Sequence, residues 1–234
     1  MQEYARNETK IIACATVAEE LRQLGVGEGD LITLDFGLHA EPDKLRETLQ
    51  AKIKAVKGEA DILLGYGLCS YAVVGLVSYS HRLVIPKVDD CIALFLGSRE
   101  EHLRRLTEEP GTYYLTKGWV EAADSTISEL NRLVERYGEK KAFLVAKLML
   151  ANYKRVALIN TGNYRMEQYR DFARGMAEIF ELRFEEIPGS NRMLLKMLQG
   201  EWDGEFLVID PGIEVPLADF LNEAQASARS QSES

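Results

Sequence analysis

Ala60–Leu76 reads ADILLGYGLCSYAVVGL and His81–Ser98 reads HRLVIPKVDDCIALFLGS. In each, a short apolar run predicts a buried strand, a turn follows, and a cysteine (Cys69 or Cys91) stands where the next apolar stretch predicts a helix. Working outward, Lys10–Gly25, KIIACATVAEELRQLG, makes the same unit a third time around Cys14. Strands that alternate with helices connect by right-handed crossovers, so the pattern predicts an α/β fold with parallel sheets and helices on both faces. Parallel strands deliver their carboxyl ends to one edge, where residues from distant parts of the chain meet in a crevice.

The rest of the chain extends the alternation. Val17, Leu21 and Leu24 have helical spacing closed by Gly25, and LITLDFGLHA reads as a second strand. Pro42 opens a helix with Leu45, Leu49 and Ile53 on one face and Gly58 as its stop. Tyr71 to Val77 is almost wholly apolar and predicts a buried helix, while Ser98 with Glu101 three residues on marks the N-terminus of a charged one. TYYLTKGW reads as a fifth strand. From Val120 to Tyr153 two helical patterns, divided at Tyr137–Gly138, contain no strand, and then RVALINTGN, LRFEEIPGS and EFLVIDPG resume the alternation. The expected organisation is two Rossmann-like lobes joined by a helical segment. An N-terminal lobe covers 1–119, a helical connector 120–153, a smaller C-terminal lobe 154–221 and a disordered polar tail 222–234.

The 234 residues can bury a substantial core, and the net charge of −9 with scattered Lys and Arg argues against a nucleic-acid partner. No apolar run approaches the roughly 20 residues that cross a bilayer, and the polar start has no signal-peptide core, so no membrane partner and a cytoplasmic location are expected. In a reducing compartment an odd set of three cysteines points to metal or catalytic chemistry before disulfides. A thiol at a helix N-terminus feels unsatisfied N–H groups and the positive end of the macrodipole, which favours the thiolate, the form that binds metals. The alternative is that Cys14, Cys69 and Cys91 are small apolar residues filling space where helix meets strand.

Further candidates stand at the same strand ends. His39 in DFGLHAEPD is placed to be a ligand or an acid–base group, whereas His81 and His102 read as surface residues. Asp90 is an acid–base candidate or simply the cap of the helix at Cys91. Tyr113 and Lys117 are proton donors if they reach the site, and aromatic packing residues or surface charges if they do not. The turns Asn160-Thr161-Gly162-Asn163 and Gly189-Ser190 suit a carboxylate or phosphate of a substrate. Neither GxGxxG nor GxxxxGK[ST] occurs where a strand meets a helix, so no nucleotide is indicated.

IIACATVAEEL, LDFGLHAEPDKL, GYGLCS, VDDCIALFLGSREE, GTYYLTKGW and the later NTG and GS turns resemble a family of uncharacterised proteins catalogued as a domain of unknown function, over nearly all of the ordered chain. The resemblance implies a setting in anaerobes, near corrinoid-dependent methyltransferases. In arrangement alone, the strand-end cysteines are also similar to the three-cysteine sites of cluster-dependent dehydratases, desulfidases and quinolinate synthase, with no shared motif.

Three thiolates leave one iron of a [4Fe–4S] cluster open, to act as Lewis acid on a small polar substrate in an iron–sulfur-dependent lyase or desulfidase-type enzyme. Zinc is the rival cofactor, held by the three cysteines with His39 or water, as in a zinc-binding methyltransferase. A non-catalytic accessory protein that binds a metal or corrinoid partner is the reading from another class.

Overall fold

The computed structural model describes residues 8–121 and 134–221. β1 (Glu8–Cys14), β3 (Ala60–Gly65) and β4 (Leu83–Pro86) are neighbours in one sheet and run parallel, with Ile12 opposite Leu64 and Leu63 opposite Val84. β2 (Leu31–Leu34) pairs with the other side of β1, and β8 (Phe206–Ile209) closes the far edge antiparallel to β4, giving the order β2-β1-β3-β4-β8. Every residue of β3 is buried, as a central strand covered on both faces requires. A second, wholly parallel sheet has the order β5 (Thr112–Leu115), β6 (Arg155–Asn160), β7 (Arg183–Pro188). The α/β class with parallel sheets is therefore as expected. Among the described residues no helix is long and apolar enough to cross a membrane.

Local rules account for the helices. α1 (Ala15–Gln23) starts at Cys14, whose extended backbone makes it the N-cap, buries Val17, Ala18 and Leu21, and ends before Gly25 at φ 91°, where glycine avoids the Cβ clash of the left-handed conformation. α2 (Pro42–Ala55) has Pro42 in its first turn and buries Leu45, Leu49 and Ile53, one per turn. α3 (Cys91–Leu96) follows β4, and Ser98 Oγ caps α4 (Arg99–Glu108) by accepting from Glu101 N at 3.0 Å. α5 (Glu139–Met149) begins at Gly138, φ 78°, so the helical passage divides where expected. α6 (Glu167–Ile179) and α7 (Arg192–Gln199) complete the set. Residues 122–133 of the expected connector and the expected tail 222–234 lie outside the described residues.

Three expectations are corrected. The lobes are not 1–119 and 154–221. Among the described residues, one compact unit consists of 8–94 and 192–221, and the other of 95–121 and 134–191. TYYL pairs with β6, fastened by Arg155 Nε donating to Thr112 Oγ1 at 2.8 Å, and the last strand returns to β4. Both strands were recognised, but which partner an edge strand chooses depends on tertiary packing that its own pattern does not carry.

The predicted helix from Tyr71 to Val77 is a loop. Cys69, Ser70 and Tyr71 all have positive φ, 44°, 56° and 68°, which a helix of L-residues excludes, and Tyr71 is 52% exposed. Each such residue costs of order 1 kcal/mol or more, so surrounding contacts must impose the loop. Arg46 donates to Tyr71 O at 3.2 Å, the Gln50 amide holds both Val77 N and Val77 O, and Gly75 N donates to Val215 O at 2.9 Å. Ala72, Val73 and Leu76 are buried as their apolarity requires, without a helix.

His81 and His102 are buried rather than at the surface. The His81 ring nitrogens meet Ala60 O and Val56 O, at 3.0 and 3.3 Å, and so tie the end of α2 to β3; the His102 ring stands edge-on to Tyr114 at 5.8 Å. Histidine pairs easily with interior carbonyls and rings, and its polarity alone does not mark it as exposed.

Candidate functional site

The strand-end loops after β3 and β4 are sewn together by their backbones: Leu68 N donates to Val88 O at 2.8 Å and Cys69 N to Asp89 O at 3.0 Å. This sets Cys69 beside the turn that leads into Cys91. The approach needs the glycines of GYG. A Cβ on Gly67 would stand 2.6 Å from Val88 O, and one on Gly65 would stand 2.7 Å from Ala13 Cβ on β1, both inside contact distance. Ala13 precedes Cys14, so the same strand end is drawn against β1 and β4 together.

All three cysteines are buried thiols, none in a disulfide. Cys14 Sγ lies 3.1 Å from Thr16 Oγ1. The expectation of helix-stabilised thiolates is corrected for two of them. Burial, the largest cause, pushes the Cys14 and Cys69 thiols up, because a dry site penalises the charged form more than hydrogen bonds and helix termini favour it. Cys69 stands in a left-handed loop and lacks a helix terminus altogether, and the proximity of Cys14 and of the Asp90 carboxylate disfavours its thiolate further. Among the described residues no group of three or more His, Cys, Asp or Glu side chains is set so that it could hold a metal ion.

Tyr66 joins the cluster, a residue the sequence reading passed over. It directly follows β3 between the two glycines, is 1% exposed, and its hydroxyl has no hydrogen-bond partner among the described residues. Burial raises its hydroxyl first, and Cys14, Cys69 and Cys91 each raise it further, which places all three sulfurs within electrostatic reach of one side chain. An unpaired buried hydroxyl costs about 1–3 kcal/mol, a cost that folding alone gives no reason to keep. An aromatic flanked by two glycines at a strand end, just before a cysteine, was the available signal.

His39 is in the same place. It lies on a 3-10 turn (Phe36–Ala40) that follows β2, started by Asp35 accepting from Gly37 N at 2.7 Å. Its ring is 5.9 Å from the Tyr66 ring and 5.5 Å from Phe36, and its Nε2 is buried with no hydrogen-bond partner. Burial lowers the His39 pKa and the Asp90 carboxylate partly restores it, so the neutral ring is the form at neutral pH. Asp90 Oδ1 accepts from Ile92 N at 2.9 Å, the capping task considered above, while its charge acts on His39 and Cys69.

The remaining candidates belong to the second unit. Tyr113 packs edge-on against Tyr153 at 5.2 Å, and burial raises its hydroxyl. Lys117 does not end a strand; residues 117–121 are helical, and its ammonium pairs with Glu121 at 2.6 Å and sits 5.0 Å over the Tyr164 ring. The carboxyl ends of β6 and β7 border a cavity of about 530 Å³ lined by Asn160, Thr161, Gly162, Glu186, Ile187, Pro188 and Gly189. Asn160 Oδ1 accepts from Gly162 N and its amide donates to Glu186, while Asn163 and Asn191 exchange amide hydrogen bonds at 3.0 and 2.8 Å. Ser190 N donates to Phe95 O at 2.8 Å, fixing the turn after β7.

The model of a protein family described as "Protein of unknown function (DUF1638)" matches residues 33–198, and the chain belongs to that family. No curated protein and no solved structure matches the chain.

Proposed function

We propose that this DUF1638 protein is a metal–thiolate enzyme whose centre is held by Cys14, Cys69 and Cys91, with a [4Fe–4S] cluster as its cofactor and a small polar molecule as its substrate. The observation that carries the reading is that every cysteine of the chain is buried at the carboxyl end of one of three adjacent parallel strands, within electrostatic reach of the unpaired Tyr66 hydroxyl. Three soft donors and no fourth cysteine suit a cluster with one open iron, which when bound supplies a Lewis-acid position. Binding asks the sulfurs to turn about their Cα–Cβ bonds toward a common point and to give up their protons, a pH-dependent step.

The chain's own residues then have definable tasks. Asp90 fixes the start of α3 and with it the Cys91 sulfur. Gly65 and Gly67 let the three strand ends close up. His39, neutral and facing Tyr66, can take or return a proton beside the thiols. Within the second unit by itself, Asn160–Gly162 and Gly189 border a cavity of about 530 Å³ whose polar groups suit a small polar molecule. Corrinoid-dependent methyl transfer in the cytoplasm of anaerobes is the metabolic setting that the resemblance offers for such a centre. Zinc is the second reading, favoured by the unpaired His39 Nε2, a nitrogen donor next to three thiols.

Anaerobic purification followed by iron, zinc and sulfide analysis and an absorption spectrum tests the proposal. Iron with matching sulfide and a broad visible band supports the cluster, and one zinc per chain supports the rival. Each of Cys14→Ser, Cys69→Ser and Cys91→Ser should lose the metal, since a three-donor site weakens steeply when one soft ligand becomes hard. Protein that carries neither metal and takes up neither on anaerobic reconstitution refutes the reading.

A further inference from the structure

Two buried polar atoms at the cysteine edge have no hydrogen-bond partner among the described residues. Tyr66 Oη and His39 Nε2 are both buried without a partner, on rings whose centroids are 5.9 Å apart at 31°. They come from different strand ends, β3 and the turn after β2, so no single local motif explains why both are unsatisfied. The Phe36 ring stands 5.5 Å from the His39 ring, tilted by 44°. Two such groups left unpaired in one place are a cost to the fold, and a ligand oxygen accepting or donating between them removes it.

The sign of the surroundings narrows the ligand. The charge that acts on the pair is the Asp90 carboxylate on His39, while burial keeps the Cys14 and Cys69 thiols beside Tyr66 protonated. A carboxylate or phosphate brought here meets like charge in a dry site, whereas a carbonyl or hydroxyl does not. We propose that Tyr66 and His39 form a two-point grip on an uncharged oxygen, a carbonyl or a hydroxyl, of the small substrate presented to the cysteines. This deepens the proposed function and rests on it for the identity of the neighbouring centre, but the grip belongs to the chain's own side chains. Any charged group of the substrate therefore has to be held elsewhere.

With only three histidines in the chain, ring nitrogen and carbon NMR signals resolve each one, and His39→Gln assigns the signal of interest. Acetamide and acetate, equal in shape and different in charge, are the probes, titrated into the full chain. Acetamide should shift the His39 signals in a saturable way while His81 and His102 stay still, and acetate should bind at least about tenfold more weakly. Tyr66→Phe should weaken acetamide about tenfold, the loss of one hydrogen bond to a ligand. A His39 ring silent to acetamide, an equal response to acetate, or unchanged affinity in a folded Tyr66→Phe protein overturns the grip. The wild-type comparison of the two probes decides the matter even if that variant fails to fold. Metal analysis on the same preparation, before and after anaerobic reconstitution, separates the two proposals: a His39 response in protein that neither carries nor takes up metal removes the centre and leaves the grip, and metal without a response does the reverse.

Discussion

The carboxyl edge of β1, β3 and β4 and the carboxyl edge of β6 and β7 are both edges of parallel strands and are furnished in opposite ways. At the first, the groups are buried thiols, a buried phenol and a half-buried imidazole, with Tyr66 Oη and His39 Nε2 unpaired among the described residues. At the second, Asn160 is satisfied by Gly162 and Glu186, Glu186 by Arg170, and Asn163 by Asn191, beside an open cavity of about 530 Å³. The second edge spends its polar groups on holding its own loops. The first leaves Tyr66 Oη and His39 Nε2 without a partner among the described residues, and the backbone strain at Cys69–Tyr71 lies there too. Strand topology supplies an edge, and the pairing state of the residues on it says whether that edge is scaffold or site.

The sharpest way to break the contrast is at the glycines. Gly67→Ala forces a Cβ to within 2.6 Å of Val88 O, and overpacking of this kind against backbone costs about 1–3 kcal/mol or more. Thermal unfolding should show a clear loss of stability, and an unchanged midpoint would mean that the two loops are not held in close contact. Tyr66→Phe should act in the opposite direction, stabilising by about 1 kcal/mol in chemical denaturation, because it deletes a buried hydroxyl that has no partner. A loss instead would show that the hydroxyl serves the fold.

In the second unit, Gly175 lies inside α6 with nothing within 4 Å of a built Cβ, so Gly175→Ala should stabilise by about 0.5–1 kcal/mol through helix propensity. Opposite signs for Gly67→Ala and Gly175→Ala separate close approach from mere flexibility. The smallest effect concerns charge. Arg104 and then Arg105 beside Glu101 hold its carboxyl down at about 2, so its folded value lies below the unfolded one near 4.5. The stabilisation is present above the unfolded value and is lost as pH falls through the folded one. On this part-exposed helix it amounts to less than about 1 kcal/mol, and Glu101→Gln should remove it at pH 7 and leave stability near pH 2 unchanged.

Much of this was legible in the residues. Apolar runs bounded by glycine gave β1, β3 and β4 their places, Ser98 with Glu101 marked the start of α4, Gly138 divided the helical passage, and the three cysteines fell at adjacent strand ends. What failed has a common cause. Val73 and Leu76 are apolar because they are buried, but burial does not require a helix, and it took Arg46, Gln50 and Val215 from elsewhere in the chain to impose the loop. TYYL and FLVI were read as strands, yet their sheets were assigned by partners far away in sequence. Helix termini suggested thiolates, and desolvation, which depends on the whole surrounding fold, pushed Cys14 and Cys69 the other way.

By itself, then, the sequence determined the strands, most of the helices and that the cysteines stand at strand ends, because those properties follow from spacing, side-chain branching and capping within a few residues. Only the tertiary structure decided that Tyr66 and His39 stand ring to ring with no hydrogen-bond partner for either, because an unsatisfied group is defined by everything that surrounds it and by nothing in its own stretch of chain.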